Sequence, residues 1–247
     1  MEEHSHSEEL PAEPSGKLDV PYVAGGATSE DAVNLPTPEE ESLAAQVDTR
    51  LPSRNSLVAA AVFFEGGLAL VALALGWLFG LGIWSQLRLD SVVAIQQALL
   101  WGVLGTIPPV LSLWLLDHYP IGPYRGLKKF VEEQVAPLFR GGSLWQFVVI
   151  AVAAGLGEEL LCRGFLQTGL QVWLTEHVGA TAATVTALVI ASVVFGLAHY
   201  LTTAYAISCI VIGFYLGGIF IATENLLVPV IVHALYDFVA LIYLTRK

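Results

Sequence analysis

Two adjacent glutamates and an arginine interrupt a long apolar stretch of the chain. Glu158 and Glu159 lie side by side there, and Arg163 follows Glu159 by four residues. A charge at the centre of a bilayer costs about 2.5 to over 10 kcal/mol, so intramembrane charges generally mark a functional site. Residues four apart share a helix face, whereas neighbours point about 100° away from each other. The spacing therefore predicts an ion pair between Glu159 and Arg163 that leaves Glu158 free.

Histidines occur in two further apolar segments. His199 lies four residues after Phe195, whose ring is predicted to wall a pocket, and His233 and Asp237 are four apart and share a face. A glutamate in a dry cavity can act as a general base toward water, and a histidine can share or pass the proton. A second histidine can donate a hydrogen bond to a developing oxyanion. Together the three segments predict a site that activates water.

Other polar residues in the apolar stretches have no such companions. We interpret Glu65, Gln96 and Gln97 as packing or cavity polarity, and Cys162 as a core residue. No serine or cysteine stands out as a nucleophile. The two cysteines, Cys162 and Cys209, form no CxxC or Cys/His metal spacing, and they do not indicate a disulfide framework.

The composition predicts a membrane protein. The 247 residues are 55% hydrophobic and 13% charged, whereas soluble domains average about 25% charged residues. Much of the net charge of −11 comes from residues 1–56, which hold twelve acidic and three basic side chains. That Pro- and Glu-rich segment is predicted to be a disordered acidic tail. No basic cluster is interleaved with aromatic residues, so nucleic-acid binding is not expected.

The rest of the chain is predicted to be all-α and polytopic, with about six membrane spans of about 20 residues each. We place the spans near 57–83, 92–116, 145–174, 181–200, 204–223 and 226–244. The third is too long for a simple crossing, so it tilts or emerges as an interfacial helix. Residues 57–144 are predicted to hold two accessory spans and a basic cytoplasmic loop, and 145–247 a catalytic membrane domain.

Lysine and arginine in the loops predict that both termini are cytoplasmic, with the plasma membrane as the expected location. In this orientation only Arg88 lies outside. The basic residues on the inside are Arg50, Arg54, Arg125, Lys128, Lys129, Arg140, Arg246 and Lys247. Straight spans would put His199 near the inner face but His233 in the outer half. Either the helix ends differ from the predicted ones by a turn or two, or these helices are tilted or short.

The three motifs, in this order, resemble those of the CPBP family, the CAAX proteases and bacteriocin-processing enzymes also called the Abi family. The family motifs EExxxR, FxxxH and HxxxN/D correspond to Glu158–Arg163, Phe195–His199 and His233–Asp237. The resemblance covers about residues 145–244, and the tail and the first two spans lie outside it. It implies an intramembrane endopeptidase that cuts a membrane-associated protein or peptide near the membrane surface, with a lipidated substrate as one alternative.

The resemblance also implies roles for individual residues. Glu158 would be the general base that works with His199 on the attacking water, while Glu159 and Arg163 hold the site together. The motif residues implied to line the oxyanion side are His233 and Asp237.

The last motif position departs from one branch of the family. The branch that processes prenylated proteins has Asn where this chain has Asp237. An ionised carboxylate would repel an oxyanion, so Asp237 is either protonated or orients His233. Metal dependence is a second open point, because Glu158, His199 and His233 would be the ligands if the enzyme used zinc. There is no HExxH helix, and the later view of the family is a metal-free glutamate mechanism, so we expect no cofactor.

Two other classes of function are compatible with the same residues. A non-catalytic membrane adaptor or a bacteriocin-immunity-type protein would use the polar cavity for binding. A transporter with an intramembrane ion relay would also contain buried Glu and His. The transporter is disfavoured because the six spans show no evident inverted repeats or paired broken helices.

Overall fold

All regular structure from residue 53 onward is helical in the computed structural model, which describes residues 37–38 and 53–246. Short turns join consecutive helices. In chain order the helices are α1 (Arg54–Leu78), α2 (Ile83–Gln86), α3 (Val92–His118), α4 (Tyr124–Phe130), π1 (Val131–Val135), α5 (Ala136–Phe139), α6 (Leu144–Glu159), π2 (Leu160–Gln167), α7 (Thr168–Val178), α8 (Ala180–Ala198), α9 (Thr203–Thr223) and α10 (Leu227–Thr245).

Six helices in the described chain are long and apolar enough to cross a membrane. They are α1, α3, the continuous helix Leu144–Val178 formed by α6, π2 and α7, and then α8, α9 and α10. The predicted all-α multi-pass architecture is thereby confirmed. The third span contains 35 residues, about 50 Å of helix against a hydrocarbon core of about 30 Å. It must therefore tilt or extend beyond the bilayer.

Both ends of the first span differ from the predicted ones. The helix begins at Arg54, because the Ser53 side chain accepts a hydrogen bond from the backbone N–H of Ser56. It ends at Leu78 instead of residue 83, since Gly80 and Gly82 adopt φ values of 68° and 55°, which glycine favours and a helix excludes. The predicted tail over 1–56 otherwise lies outside the described residues, apart from 37–38, and its disorder stays a prediction.

The segment after α1 folds back against the long third span. Gln86 Nε2 donates hydrogen bonds to the backbone carbonyls of Leu81 (3.0 Å) and Gly164 (3.4 Å). The backbone N–H of Leu226 donates to the Gln86 carbonyl (2.9 Å). This turn ties α1, the third span and the start of α10 together at one end of the bundle.

An antiparallel hairpin explains how the glutamate and histidine segments meet. Gly179, with φ 80°, is the turn between α7 and α8, and α8 packs back along α7 and π2. Glu158 and His199 lie at nearly equal distances along the chain from this turn, so the hairpin places them at the same level. The hairpin therefore accounts for the meeting of the glutamate motif and the Phe195–His199 motif.

Helix α10 approaches the glutamates from another side. It packs against α6 and α3, and Gly155 permits a close contact with its backbone. A Cβ atom on Gly155 would come within 2.9 Å of both the Val230 carbonyl oxygen and the Ala234 amide nitrogen. Since His233 lies between those two contacts, the glycine brings its imidazole beside Glu158 and Glu159.

Candidate active site

Glu158 and His199 face each other across the α6–α8 interface. Their Oε2 and Nε2 atoms are 3.3 Å apart, and the side chains are 12% and 27% exposed. His199 follows the last residue of α8, and its Nδ1 lies 2.8 Å from the Phe195 carbonyl oxygen. A carbonyl only accepts hydrogen bonds, so Nδ1 carries the proton and Nε2 is directed at the carboxylate.

The contact between Glu158 and His199 is within ion-pair distance but is not an aligned hydrogen bond. Among the described residues, Oε2 of Glu158 is buried and has no hydrogen-bond partner. Such an oxygen retains a free acceptor position next to an imidazole. The pair therefore has the geometry needed to hold a small hydrogen-bonding molecule on the cavity side, within reach of a base and of a second proton acceptor.

Glu159 is the centre of a fully buried network. Its Oε1 accepts hydrogen bonds from Arg163 Nη1 (2.9 Å) and from His233 Nδ1 (2.8 Å). Arg163 Nη2 also donates to the Gly213 carbonyl on α9 (3.1 Å). The predicted Glu159–Arg163 ion pair is present, and its side chains are 0% and 1% exposed. The sequence did not predict that His233 bonds to Glu159, because the two residues are distant along the chain.

Asp237 lies one helical turn beyond His233 on α10. Its Oδ2 is 3.5 Å from His233 Nε2, and its side chain is 30% exposed. With Nδ1 held by Glu159, the other ring nitrogen of His233 is directed toward Asp237 and the open side of the site. The two carboxylates thus determine the ring orientation of His233 from both sides.

The Phe195 ring stands at the centre of these groups. Its centroid is 4.6 Å from that of His199 and 5.9 Å from that of His233, the latter in an edge-on arrangement. The Arg163 guanidinium carbon lies 4.6 Å from the ring centroid, close enough for a cation–π contact. Phe195 also lines the site cavity, so the expectation that its ring walls the pocket is met.

One cavity of about 120 Å³ is lined by all four residues predicted to be catalytic. These residues are Glu158, His199, His233 and Asp237. Glu159 and Arg163 do not line it and lie behind it. The lining also includes residues that the sequence did not single out, because apolar helices carry many such side chains: Tyr205, Ser208, Cys209, Tyr215 and Tyr236.

A larger cavity of about 610 Å³ adjoins this one. Tyr215 lines both, and its hydroxyl donates a hydrogen bond to the Gly105 carbonyl on α3 (2.7 Å). Most of the larger cavity is lined by apolar residues of α3 and α9, such as Leu104 and Ile219, and Arg88 lies on its lining as well. Among the described residues, Tyr215 is the one that the linings of the two cavities share.

The glutamate motif continues into a π-helix, which the sequence did not indicate. The wider turn of π2 includes Arg163, and Thr168 Oγ1 donates to the Arg163 carbonyl (2.9 Å). Segments of this kind occur mostly at functional sites in other proteins. No recognisable sequence signal marks it, since a π-turn follows from local packing and not from residue type.

A metal site is not formed by the side chains as they stand. Across residues 37–38 and 53–246, no group of three or more His, Cys, Asp or Glu side chains is arranged to hold a metal ion. His233 also has its Nδ1 engaged by Glu159. The absence of a bound metal stays a prediction.

Comparison with known proteins identifies a family for the part of the chain that contains this site. Residues 140–239 match the model of the Rce1-like family, described as type II CAAX prenyl endopeptidase Rce1-like. The match includes all three motifs and excludes α1 and α3. The resemblance predicted from the sequence covers nearly the same residues, and it is thereby confirmed. No curated protein and no solved structure gives a significant match to the chain.

Proposed function

From the match of residues 140–239 to the Rce1-like type II CAAX prenyl endopeptidases, we propose that this chain is an intramembrane endopeptidase. It hydrolyses a peptide bond of a membrane-associated protein or peptide with a water molecule activated by Glu158 and His199. The observation that carries the proposal is the shared cavity of Glu158, His199, His233 and Asp237, because those residues come from three separate helices.

In the proposed reaction the water binds in the cavity, against both Glu158 and His199. Glu158 takes a proton from it, and the resulting oxygen nucleophile attacks the carbonyl carbon of the scissile bond. The tetrahedral intermediate then collapses, the C–N bond breaks, and the proton passes to the leaving amine. The Phe195 carbonyl supports this step, since it holds the His199 ring in one orientation.

The developing oxyanion is assigned to the side of the site formed by α10. His233 carries a proton on Nδ1 for Glu159, and a protonated Nε2 can donate to the oxyanion. The 3.5 Å distance between Asp237 and His233 supports the second role considered for Asp237, the orientation of His233. Glu159 and Arg163 act behind the site and hold the imidazole in place.

The adjoining cavity could hold the hydrocarbon chain of a lipidated substrate. A peptide bound at Glu158 can direct an attached hydrocarbon chain past Tyr215 into the apolar space between α3 and α9. Its volume of about 610 Å³ lies in the range of small-molecule sites. The bilayer is the second partner, and we place the protein in the plasma membrane with both termini cytoplasmic. Nucleic acid has no role in this proposal.

Substitution of the two water-activating residues tests the proposal. We expect Glu158→Ala and His199→Ala each to lower cleavage of a farnesylated CAAX peptide about 100- to 10,000-fold, with normal membrane insertion and unfolding temperature. Glu176→Ala, an exposed glutamate on the same span, serves as the control and should retain activity. Full activity in either test variant would refute the mechanism. Capture of a protein partner without a product from any substrate would instead indicate the adaptor function.

A metal analysis tests the proposed absence of zinc. Purified, active protein is expected to contain far less than one equivalent of zinc and to keep its activity after dialysis against a chelator. Stoichiometric zinc whose removal abolishes cleavage, and whose return restores it, would contradict the metal-free mechanism.

A further inference from the structure

We propose that the larger cavity, between α3 and α9, is a binding site for a membrane phospholipid with an anionic head group. The head group binds at Arg88 and Gln97, and one hydrocarbon chain extends toward Tyr215. None of these residues belongs to the three motifs. The effect on cleavage rests on the proposed peptidase function, because a lipid in this position occupies the space assigned to the hydrocarbon chain of the substrate.

The cavity is long and follows one face of α3. Its lining residues on this helix run from Ala94 to Gly105, which corresponds to about 16 Å along the helix axis. Two hydrogen bonds mark its ends. The Tyr215 hydroxyl donates to the Gly105 carbonyl (2.7 Å), and Asn225 Nδ2 donates to the Ala94 carbonyl (3.4 Å). An elongated space of this kind suits an extended hydrocarbon chain better than a compact ligand.

The two ends of the cavity differ in polarity. The middle is lined by apolar side chains, including Trp101, Leu104 and Ile219. At the end where α3 begins, the lining contains four polar residues: Arg88, Gln97, Thr223 and Asn225. Since Arg88 lies in the turn that precedes α3, this end is at the level of the membrane surface. A polar end and an apolar body match an amphiphile whose head group lies at that surface.

Two of the four polar side chains have no partner in the part of the chain that the structure describes. Thr223 and Asn225 form hydrogen bonds with nearby backbone groups. The side chains of Arg88 and Gln97 form no hydrogen bond or ion pair with any described residue. Gln97 lies within an apolar span, where an unsatisfied polar group is costly. A ligand with several oxygen acceptors supplies partners for both side chains.

The charge of the lining favours an anionic head group. Arg88 is the one charged side chain among the described lining residues. Asp90 and Glu224, in the adjoining turns, do not line the cavity and form no ion pair with Arg88. A zwitterionic head group would bring an ammonium group that finds no anionic partner here. A phosphate accepts two parallel hydrogen bonds from a guanidinium, and the Gln97 amide can donate to a further oxygen.

The far end of the bound chain lies next to the proposed active site. Tyr215 lines both cavities, so a chain that fills the larger cavity as far as Tyr215 leaves no room there for the chain of a substrate. The phospholipid and a lipidated substrate therefore compete. An anionic membrane raises the substrate concentration that the enzyme needs.

Photochemical cross-linking locates the bound lipid without reference to catalysis. The probe is phosphatidylglycerol with a diazirine near the end of one chain, added to full-length protein in neutral detergent micelles. Illumination should label the peptides of α3 and α9 that line the cavity. Unlabelled phosphatidylglycerol should displace the probe at about one-fifth of the concentration that phosphatidylcholine requires, since one arginine favours an anionic lipid by about this factor.

Three variants assign the contacts to the head group. Arg88→Gln should abolish the preference for phosphatidylglycerol over phosphatidylcholine. Gln97→Leu should weaken displacement by both lipids about two- to tenfold, because one hydrogen bond is lost. Gln96→Leu is the matched control and should behave as the wild type, since Gln96 is an exposed neighbour that does not line the cavity.

Four results of the cross-linking would overturn the proposal. Equal displacement by the two phospholipids in the wild type would show that the site does not select an anionic head group. A preserved preference in Arg88→Gln would place the head group elsewhere, and labels confined to other helices would place the chain elsewhere. Oleate as effective as phosphatidylglycerol would identify a free fatty acid, and not a phospholipid, as the ligand.

Steady-state kinetics in vesicles test the competition, with a farnesylated CAAX peptide as substrate. Replacing part of the phosphatidylcholine by phosphatidylglycerol should raise the KM of the wild type and leave kcat unchanged, because saturating substrate displaces the lipid. The KM of Arg88→Gln should stay nearly constant, and Gln96→Leu should respond as the wild type does. A lower kcat at constant KM would contradict competition. If the wild type cleaves no peptide, the peptidase proposal fails, and the cross-linking still decides whether the cavity binds the lipid.

Discussion

At the scale of single residues, Glu159 connects the glutamate motif to α10. One carboxylate oxygen accepts from a guanidinium on its own helix and from an imidazole on α10. Both donors are nearly inaccessible to water, so neither can be replaced by solvent. A buried charge network is strongly destabilised when one partner is removed, because the remaining charge is left without compensation.

Replacement of Arg163 tests this dependence. Arg163→Met should destabilise the protein by about 3–5 kcal/mol, since it leaves Glu159 buried without its cation. The measurement is thermal unfolding in detergent. The double variant Glu159→Gln with Arg163→Met should lose less stability than Arg163→Met alone, because no uncompensated carboxylate remains. A greater loss in the double variant would contradict this account.

An exposed ion pair provides a control for the stability that the buried Glu159–Arg163 pair contributes. Lys129 and Glu133 on the loop helices approach to 3.9 Å in a solvent-accessible position. Such pairs contribute about 0–1 kcal/mol, so Lys129→Met should leave the unfolding temperature nearly unchanged.

The side chain at position 237 tests how His233 is oriented. Asp237→Asn should retain activity within a few-fold, because the amide keeps a polar group of the same shape beside Nε2 of His233. Asp237→Ala removes that group and should lower kcat about tenfold or more. Steady-state kinetics of both variants on the same peptide provide the measurement. An Asn variant as inactive as the Ala variant would mean that the negative charge itself is required.

At the scale of helices, two glycines of α6 allow its neighbours to approach. Gly155 faces the backbone of α10 and Gly157 faces that of α1, so the two partner helices contact α6 through backbone atoms. Small residues at such interfaces are typical of membrane helix packing, where close van der Waals contact replaces the hydrophobic effect. The positions of His233 and Glu65 both depend on these contacts.

Adding one methyl group to the α1–α6 contact should disturb the site. Gly157→Ala introduces a Cβ atom that overlaps the Glu65 carbonyl, and the helices must separate at a cost of about 1–3 kcal/mol. The unfolding temperature and kcat should both fall. Gly66→Ala, on α1 with open space around it, should be neutral or stabilising by up to about 1 kcal/mol. Equal unfolding temperatures and kcat values for the two variants would show that α1 and α6 are not in close contact at Gly157.

At the scale of the whole molecule, two spans outside the family match support the helices that carry the motifs. Residues 53–246 belong to one compact unit, in which α1 packs against α6 and α3 packs against α10. The first two spans are accessory by sequence resemblance, but α3 contributes Pro109 to the lining of the site cavity. An even number of spans also fits a protein with both ends on one side.

Cysteine accessibility tests the orientation. In a background with Cys162 and Cys209 replaced by serine, Arg88→Cys should react with a membrane-impermeant maleimide in intact cells. Arg246→Cys should react only after permeabilisation, because positive residues are retained inside. The reverse pattern would mean an inverted topology, and labelling of both in intact cells would mean an odd number of crossings.

The sequence alone determined the fold class, the six spans and the identities of the motif residues. Those properties follow from local information: hydropathy over about 20 residues, and side-chain spacing along a helix, which predicted the Glu159–Arg163 pair. Its errors were local as well, for example the end of α1, where two glycines in left-handed conformations replaced the expected helix.

Only the tertiary structure decided how the motifs meet. The hairpin at Gly179 set Glu158 opposite His199, and the contact at Gly155 brought His233 to Glu159. Helix contacts at glycine depend on the shapes of two distant segments at once, so no single stretch of sequence contains them. The same reason hid the contact of α1 with the glutamate helix: Glu65 and Gly157 are far apart in the sequence, and they meet only because Gly157 lacks a side chain.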